Sequence, residues 1–180
     1  YKLHTTYKKL LADTITPVSI YLKLRDKFPG SILLESSDYH GNENSFSFIC
    51  CKPIAGIKAE NEILSMYFPD GKEERLEVNF GTSVLDHLQQ LSDRFETDAS
   101  EFKFLNNGLF GYISYDAVRY FENISLNAEK REEKNIPDMR YSVYQTVIAI
   151  DHFKNELYIF KHNFRGPSDL EIDLIESQIN

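Results

Sequence analysis

Hydrophobic and polar positions along the chain predict short strands interspersed with three helices. Residues 2–11 alternate loosely, which predicts an edge strand. Thr16 suits a helix N-cap and Pro17 suits the first helical position, where the missing N–H costs nothing. Val18, Tyr21, Leu22 and Arg25 follow at helical spacing, and residues 28–30 (Phe-Pro-Gly) end the helix. The sequence therefore predicts an edge strand followed by a well-capped helix.

The rest of the chain is predicted to be rich in antiparallel strands. The pattern predicts strands at 31–37, 46–52, 53–59, 63–68, 75–78, 108–114, 139–151 and 156–161. Two of the connections, 69–72 and 152–155, read as hairpin turns. A second helix begins after Thr82 or Ser83 and buries Val84, Leu85, Leu88, Leu91 and Phe95, a helical turn covers 116–121, and Pro167 opens the last helix. This is an α+β fold with largely antiparallel β-sheets and interspersed helices.

Composition and charge exclude several classes of function. The chain has 180 residues, 42% of them hydrophobic, which is enough for one folded domain. Its net charge is −8 without a basic stretch, so we expect no nucleic-acid partner and no membrane surface. No apolar run reaches the ~20 residues of a membrane span, and Tyr1–His4 do not begin a signal peptide. We interpret the adjacent Cys50 and Cys51 as buried, reduced thiols. Reduced cysteines and the lack of a predicted span or signal peptide together predict a cytoplasmic protein.

No catalytic set emerges from residue spacing. The chain contains no phosphate-binding loop, no glycine-rich dinucleotide turn, no nucleophile elbow and no HExxH zinc motif. The five histidines are scattered, and neither they nor the two cysteines lie at metal-ligand spacing. The acidic residues lie almost entirely on predicted polar faces. We therefore predict no catalytic and no metal-binding residue within the chain.

The end of the predicted strand 31–37 departs from this plain pattern. Glu35 and Ser36 follow Leu33 and Leu34 directly, and alternation places Leu34 and Ser36 on one face with Leu33 and Glu35 on the other. A carboxylate, a hydroxyl and free backbone groups beside an apolar wall suit a zwitterionic ligand. Residue types alone favour the simpler alternative, a strand that runs into a polar loop.

A second unusual segment covers residues 108–122. Its two strand glycines, Gly108 and Gly111, indicate close backbone approach or a bulge. Asp116 and Arg119 are three residues apart on the predicted helical turn and could pair. Such a pair could hold a ligand, but a structural link between strand and helix is the favoured interpretation. Charged residues 125–136 follow, and we expect them to form a mobile surface excursion.

Five segments in order resemble the N-terminal region of anthranilate synthase component I, one of the chorismate-utilising enzymes. They are 16–24 (TPVSIYLKL), 33–36 (LLES), 47–49 (SFI), 111–119 (GYISYDAVR) and 137–139 (PDM). Each motif is weak alone, but their order and gaps match. The resemblance implies that residues 1–180 form the N-terminal domain of that fold, without its C-terminal chorismate-binding part.

The resemblance also implies what the whole enzyme does. Members of the family are lyases that convert chorismate and ammonia into anthranilate and pyruvate in tryptophan biosynthesis. A glutamine amidotransferase subunit supplies the ammonia, and Mg²⁺ is the cofactor. Chorismate, the Mg²⁺ ligands and the catalytic residues would belong to the C-terminal part, so the 180-residue fragment alone should be inactive.

The resemblance further implies an allosteric site where L-tryptophan inhibits the enzyme. Ser36 carries over as the signature residue of that site, with Glu35 and Leu34 beside it and Phe46 in a nearby wall. Many relatives have an arginine and a glycine where this chain has Ser45 and Cys50, which leaves contacts of that arginine in doubt. The assignment of Ser36 does not depend on either position.

Two alternatives remain open from the sequence. The first is component I of aminodeoxychorismate synthase, a related enzyme of folate synthesis in which the tryptophan site can be structural. The intact 33–36 and 16–19 segments favour anthranilate synthase over it. The second is a non-enzymatic interaction module, with which the acidic surface and the charged segment 125–136 are compatible.

Overall fold

The computed structural model describes residues 1–35, 45–78, 83–122, 136–164 and 170–179. Within these ranges the chain forms nine strands, three α-helices and one 3-10 helix. The elements in chain order are β1 (Lys2–Leu11), α1 (Pro17–Arg25), β2 (Ile32–Glu35), β3 (Phe46–Glu60), β4 (Ile63–Tyr67), β5 (Glu73–Glu77), α2 (Val84–Asp93), β6 (Glu96–Thr97), β7 (Leu109–Ile113), a 3-10 helix (Tyr115–Tyr120), β8 (Met139–Asp151), β9 (Glu156–Asn163) and α3 (Leu170–Ile179). The predicted α+β class, with mostly antiparallel strands, is confirmed.

Several predictions fall outside the described residues. Ser36 and the polar loop that follows it lie within 36–44, which the structure does not describe. The charged segment predicted as mobile lies almost wholly within 123–135, and Pro167 lies within 165–169, also outside those ranges. These predictions therefore stay predictions.

The chain divides into two compact units. The first unit comprises residues 1–53, 95–108 and 144–180, and the second comprises 54–94 and 109–143. The long strands β3 and β8 contribute residues to both units.

The sheet of the first unit is built around the hairpin of β8 and β9. β9 pairs antiparallel with β8 on one side and with β1 on the other, and β2 pairs antiparallel with β3. β6 pairs parallel with Lys2 and Leu3 of β1, so the prediction that 2–11 is an edge strand is wrong for these two residues. A two-residue strand leaves too little periodicity for a sequence pattern to reveal it.

One face of this sheet packs against α1 and α3. The helix α1 begins as predicted, because the Thr16 Oγ1 accepts a hydrogen bond from the Ser19 N–H at 3.1 Å and Pro17 occupies the first helical position. The shared core is aliphatic, which makes hydrophobic burial its main stabilising term. Its buried members are Ala12, Ile20, Leu24, Ile49, Cys51, Ile148, Ile150, Leu157, Ile159, Ile172, Ile175 and Ile179.

The second unit contains the predicted hairpin of β4 and β5. Gly71 adopts a φ of +83° in its turn, which suits glycine, and Asp70 Oδ1 accepts a hydrogen bond from the Lys72 N–H. β3 pairs antiparallel with β4, and β7 pairs antiparallel with β8. The predicted strands 46–52 and 53–59 are one strand, with a single irregular φ of +58° at Lys52. Pro53 therefore lies within the strand without ending it.

The helix α2 is capped by Ser83, whose Oγ accepts a hydrogen bond from the Asp86 N–H. Val84 and Leu91 are buried as predicted. Leu85 is 56% exposed, so its predicted place on the buried face is wrong. At 100° per residue, Leu85 lies to the side of the stripe that joins Val84, Leu88 and Leu91.

Cys50 and Cys51 are both buried with free thiols, and burial raises the pKa of each. No helix within the described residues has the length and apolar character to cross a membrane.

Candidate functional site

The end of β2 is held in place by β3. Leu34 lies opposite Phe48 and Glu35 lies opposite Ser47 in the antiparallel register. Directly opposite residues share a face of a sheet, and successive residues alternate between faces. Leu34 therefore lies on the same face as Phe46 and Phe48, while Glu35 lies on the other face with Ser47.

The face that carries Leu34 is aromatic. The ring centroids of Phe46 and Phe104 are 4.8 Å apart, and those of Phe46 and Phe48 are 6.1 Å apart. These three rings are each partly exposed. We call this surface the aromatic face, and its members are Phe46, Phe48, Phe102, Phe104, Tyr158 and Phe160. Partly exposed π-surfaces with offset or edge contacts can accept another aromatic ring.

The opposite face carries Glu35 beside a polar pair. The Ser47 Oγ and the His152 Nε2 are hydrogen-bonded at 2.7 Å, and the His152 N–H donates to the Ser45 carbonyl at 3.0 Å. Glu35 and His152 both line a cavity of about 480 Å³. We call it the helix-face cavity, since the first turn of α1 forms part of its wall. Its lining residues are Ala12, Ile15, Thr16, Pro17, Val18, Glu35, Ile150, Asp151, His152 and Asn155.

The sequence-predicted site residues are thus divided between the two faces. Leu34 and Phe46 lie together on the aromatic face, whereas the Glu35 side chain lies on the opposite face beside the helix-face cavity. Ser36 lies outside the described residues. Asp151 and His152 also line the cavity but lie more than 110 positions from Glu35 in the chain, so no local sequence pattern connects them with it.

The second segment singled out in the sequence forms an ion pair in the second unit. Arg119 pairs with Asp138 through Nη2 and Oδ2, and Tyr120 donates to the same Oδ2 at 2.8 Å. Burial and the hydrogen bond to Asp138 raise the pKa of the Tyr120 hydroxyl. Asp116, the predicted partner, is not the one that Arg119 uses. Pairing with Asp138 links the 3-10 helix to the start of β8, which supports the structural interpretation.

Metal-ligating and titratable side chains complete the description of the first unit and its surroundings. No group of three or more His, Cys, Asp or Glu side chains in these ranges is arranged to hold a metal ion. The pKa of His162 is lowered to about 4 by burial, and His162 is bonded to Thr5 and to the Asn106 carbonyl, which makes it a structural residue.

Comparison with known proteins now decides the family. Residues 31–177 match the family described as chorismate binding enzyme. The chain belongs to this family. Anthranilate synthase component 1 of Thermus thermophilus is 31% identical over 170 residues, which cover 93% of this chain and 34% of that protein. Anthranilate synthase component 1 of Lactococcus lactis is 29% identical over 157 residues, covering 87% of this chain and 32% of the relative.

The fold agrees with the family. The crystal structure of anthranilate synthase component I from Streptococcus pneumoniae superposes with a TM-score of 0.54 at 21% sequence identity, over 94% of this chain and 35% of that chain. The resemblance noted from the sequence motifs is therefore confirmed. The chain spans about a third of the length of these relatives.

Proposed function

We propose that this chain is the N-terminal regulatory portion of an anthranilate synthase component I. Support comes from relatives of that name, which match nearly the whole chain but are about three times as long. In this proposal the complete protein converts chorismate and ammonia into anthranilate and pyruvate. A glutamine amidotransferase subunit is its partner, and the protein works in the cytoplasm.

The proposal assigns no chemical step to residues 1–180. Chorismate, Mg²⁺ and the catalytic side chains would be held by the part of the protein that the relatives have in addition. The role of the described residues would be to bind L-tryptophan and to pass its presence on to that part. An effector shifts an equilibrium only by its differential affinity for two states, which is typically worth about 1–3 kcal/mol.

One observation supports the tryptophan site most directly. Leu34, next to the proposed Ser36, lies on the same face as the partly exposed rings of Phe46 and Phe104. An indole ring can pack on such a surface, while a serine hydroxyl and backbone groups at the strand end can bind the amino-acid head group. The remaining wall would come from the rest of the longer protein.

The test uses the complete enzyme with its amidotransferase subunit. Ser36→Ala and Phe46→Ala should each raise the tryptophan concentration for half inhibition at least tenfold, with kcat for anthranilate formation within about twofold of wild type. Phe153→Ala, at an exposed phenylalanine of the β8–β9 turn, is the matched control and should leave inhibition unchanged. Unaltered tryptophan sensitivity in both site variants would refute the proposed site.

Product analysis distinguishes an anthranilate synthase from an aminodeoxychorismate synthase. Anthranilate should be the aromatic product of the complete protein, and the 180-residue chain alone should produce none from chorismate, ammonia and Mg²⁺. An aminodeoxychorismate product would contradict the proposal.

A further inference from the structure

We propose that a cavity in the second unit binds a small phosphate monoester through Lys58, Arg75 and Arg140. The cavity has a volume of about 310 Å³ and is lined by residues of β3, β4, β5 and β8. We call it the basic cavity. All of its lining residues belong to the second unit, whereas the proposed tryptophan site belongs to the first. The basic cavity is therefore a separate site, and it does not depend on the regulatory role proposed above.

The strand register brings polar side chains to one face of the sheet. Lys58 of β3 lies opposite Ser65 of β4, which in turn lies opposite Arg75 of β5. Directly opposite residues share a face, so these three side chains form a row across the sheet. Ile57 and Met66 alternate with this row and are buried on the other face. The row therefore lies on the polar face of the sheet.

Gly56 makes room for the floor of the basic cavity. It lies opposite Tyr67 in the next row of the register. A Cβ at Gly56 would lie 2.7 Å from Tyr67 Cε1 and 2.9 Å from Ser142 Oγ, so both side chains lie on this face against the Gly56 backbone. The Tyr67 hydroxyl and the Ser142 Oγ are hydrogen-bonded at 3.3 Å. Only one hydroxyl of this pair is the donor, so the hydrogen of the other can be donated to a ligand.

Arg140 adds a third cation to this face. It pairs with Tyr112 in the regular antiparallel register of β7 and β8, and it lies two residues before Ser142, so its side chain shares the face of Ser142. Arg140 is exposed and lines the cavity, and its guanidinium forms no ion pair with any carboxylate in the described part of the chain. Its donors are therefore free to bind an anionic ligand.

The charge of the lining selects an anion. Among the described lining residues, three are cationic and one, Glu73, is a carboxylate, although the chain as a whole carries a net charge of −8. Lys58 pairs with Glu60 at 2.8 Å, and Arg75 pairs with Glu73 at 3.1 Å. These four side chains are between 31% and 70% exposed, and ion pairs at such positions contribute little to stability. A ligand with more than one negative charge can therefore compete with both carboxylates.

A phosphate monoester matches these donors better than a carboxylate does. Its second pKa is about 6, so it carries nearly two negative charges at neutral pH and presents three acceptor oxygens. Arginine guanidinium groups bind phosphate through two parallel hydrogen bonds. The partly exposed Tyr67 ring offers a surface for a flat organic group, and about 310 Å³ lies at the lower end of the range of small-molecule sites. The ligand class is therefore a small phosphate monoester with a flat organic group.

Phenyl phosphate is a suitable probe, measured by isothermal titration calorimetry on the complete protein in metal-free buffer. Phenyl sulfate has the same shape but only one negative charge, so it should bind at least fivefold more weakly. Inorganic phosphate lacks the organic group and should bind at least tenfold more weakly. No binding of phenyl phosphate, or equal affinity for the sulfate, would overturn the proposal. Equal affinity for inorganic phosphate would show that free phosphate is the ligand and would overturn the assignment to a monoester.

Charge variants locate the binding site. Arg140→Gln should weaken phenyl phosphate binding at least tenfold, and Arg75→Gln, which removes a cation already paired with a carboxylate, at least threefold. Glu73→Gln removes the competing carboxylate and should strengthen binding severalfold, a gain that a merely structural role would not produce. Arg25→Gln is the matched control, because Arg25 is a half-exposed arginine of the first unit that pairs with Asp26 at 3.4 Å.

The same variants can refute the site. Unchanged binding in both Arg140→Gln and Arg75→Gln would place the anion elsewhere in the complete protein. Equal weakening in Arg25→Gln would show a response to net charge alone. If Arg140→Gln fails to fold, Lys58→Gln removes another cation of the same face and should also weaken binding. Phe46→Ala should leave phenyl phosphate binding unchanged, so this site and the proposed tryptophan site can fail independently.

Discussion

Arg119 and Asp138 form an ion pair whose side chains are only 11% and 15% exposed. The Arg119 guanidinium also donates to the Tyr120 hydroxyl at 3.0 Å and lies over the Tyr120 ring. The two charges thus neutralise each other, and the Tyr120 hydroxyl is hydrogen-bonded to both side chains. Because charges that are mostly removed from water must be paired, each partner depends on the others.

Removal of one partner should destabilise the second unit. Asp138→Asn leaves the Arg119 charge without its carboxylate and should lower the free energy of unfolding by about 3 kcal/mol. Asp116→Asn, on the 3-10 helix itself, is the matched control. It should change the free energy of unfolding by less than about 0.5 kcal/mol. Urea unfolding followed by circular dichroism measures both. Equal effects of the two substitutions would show that the ion pair makes no specific contribution to the stability of the protein.

His162 should make stability depend on pH. Burial lowers its pKa from 6.5 to about 4, so the folded state disfavours the proton that the unfolded state accepts. The contribution of the neutral imidazole is therefore fully present above the unfolded pKa of 6.5. It is lost as pH falls from 6.5 toward 4, by about 3 kcal/mol in all.

The measurement is urea unfolding between pH 4 and 7.5. His162→Gln should be less stable than wild type at pH 7.5, and its stability should fall less steeply over the acid range. His4→Gln changes a far more exposed histidine and should keep the slope of the wild type. A wild-type slope in His162→Gln would contradict the assignment to this residue.

Gly111 should tolerate no side chain. A Cβ at this position would lie 1.9 Å from the Arg140 carbonyl oxygen and 2.7 Å from the Tyr141 Cα, both backbone atoms of the paired strand. Gly111→Ala should therefore cost about 3 kcal/mol or more, since strands β7 and β8 must separate locally. Gly71→Ala meets no atom and should cost only about 1 kcal/mol, from its φ of +83°. Thermal unfolding of both variants tests the contrast.

Local chemistry made much of the fold predictable. The Thr16 cap and the turn at Gly71 each depend on neighbouring residues, so the sequence indicates them. A glycine inside a strand also indicates the close approach at Gly111, although not that Arg140 and Tyr141 are the residues approached. The pairing of β6 with Lys2 and Leu3 joins residues more than 90 positions apart and has no local signature. Leu85 is apolar, but its angle on the helix places it beside the buried stripe, so residue type alone does not predict its exposure.

The candidate site shows the same limit. Alternation correctly separates Leu34 from Glu35, and the register with β3 then brings Phe46 to the side of Leu34. Asp151 and His152 reach the neighbourhood of Glu35 only through the folded sheet. Arg119 likewise pairs with Asp138, which is distant in the sequence, and not with Asp116, three residues away. Long-range partners set the chemistry here, and no single-sequence pattern records them.

Cys50 and Cys51 should be unreactive in the folded protein. Both side chains are fully buried, and burial raises the pKa of both thiols, so neither forms the reactive thiolate near neutral pH. With Ellman's reagent at pH 8, we expect two thiols per chain in denaturant but fewer than 0.2 in native buffer over an hour. Urea below the unfolding transition should raise the native rate in step with the unfolded population, because a thiol must be exposed before it reacts. Rapid reaction of one thiol in native buffer would show that β3 opens locally at that cysteine.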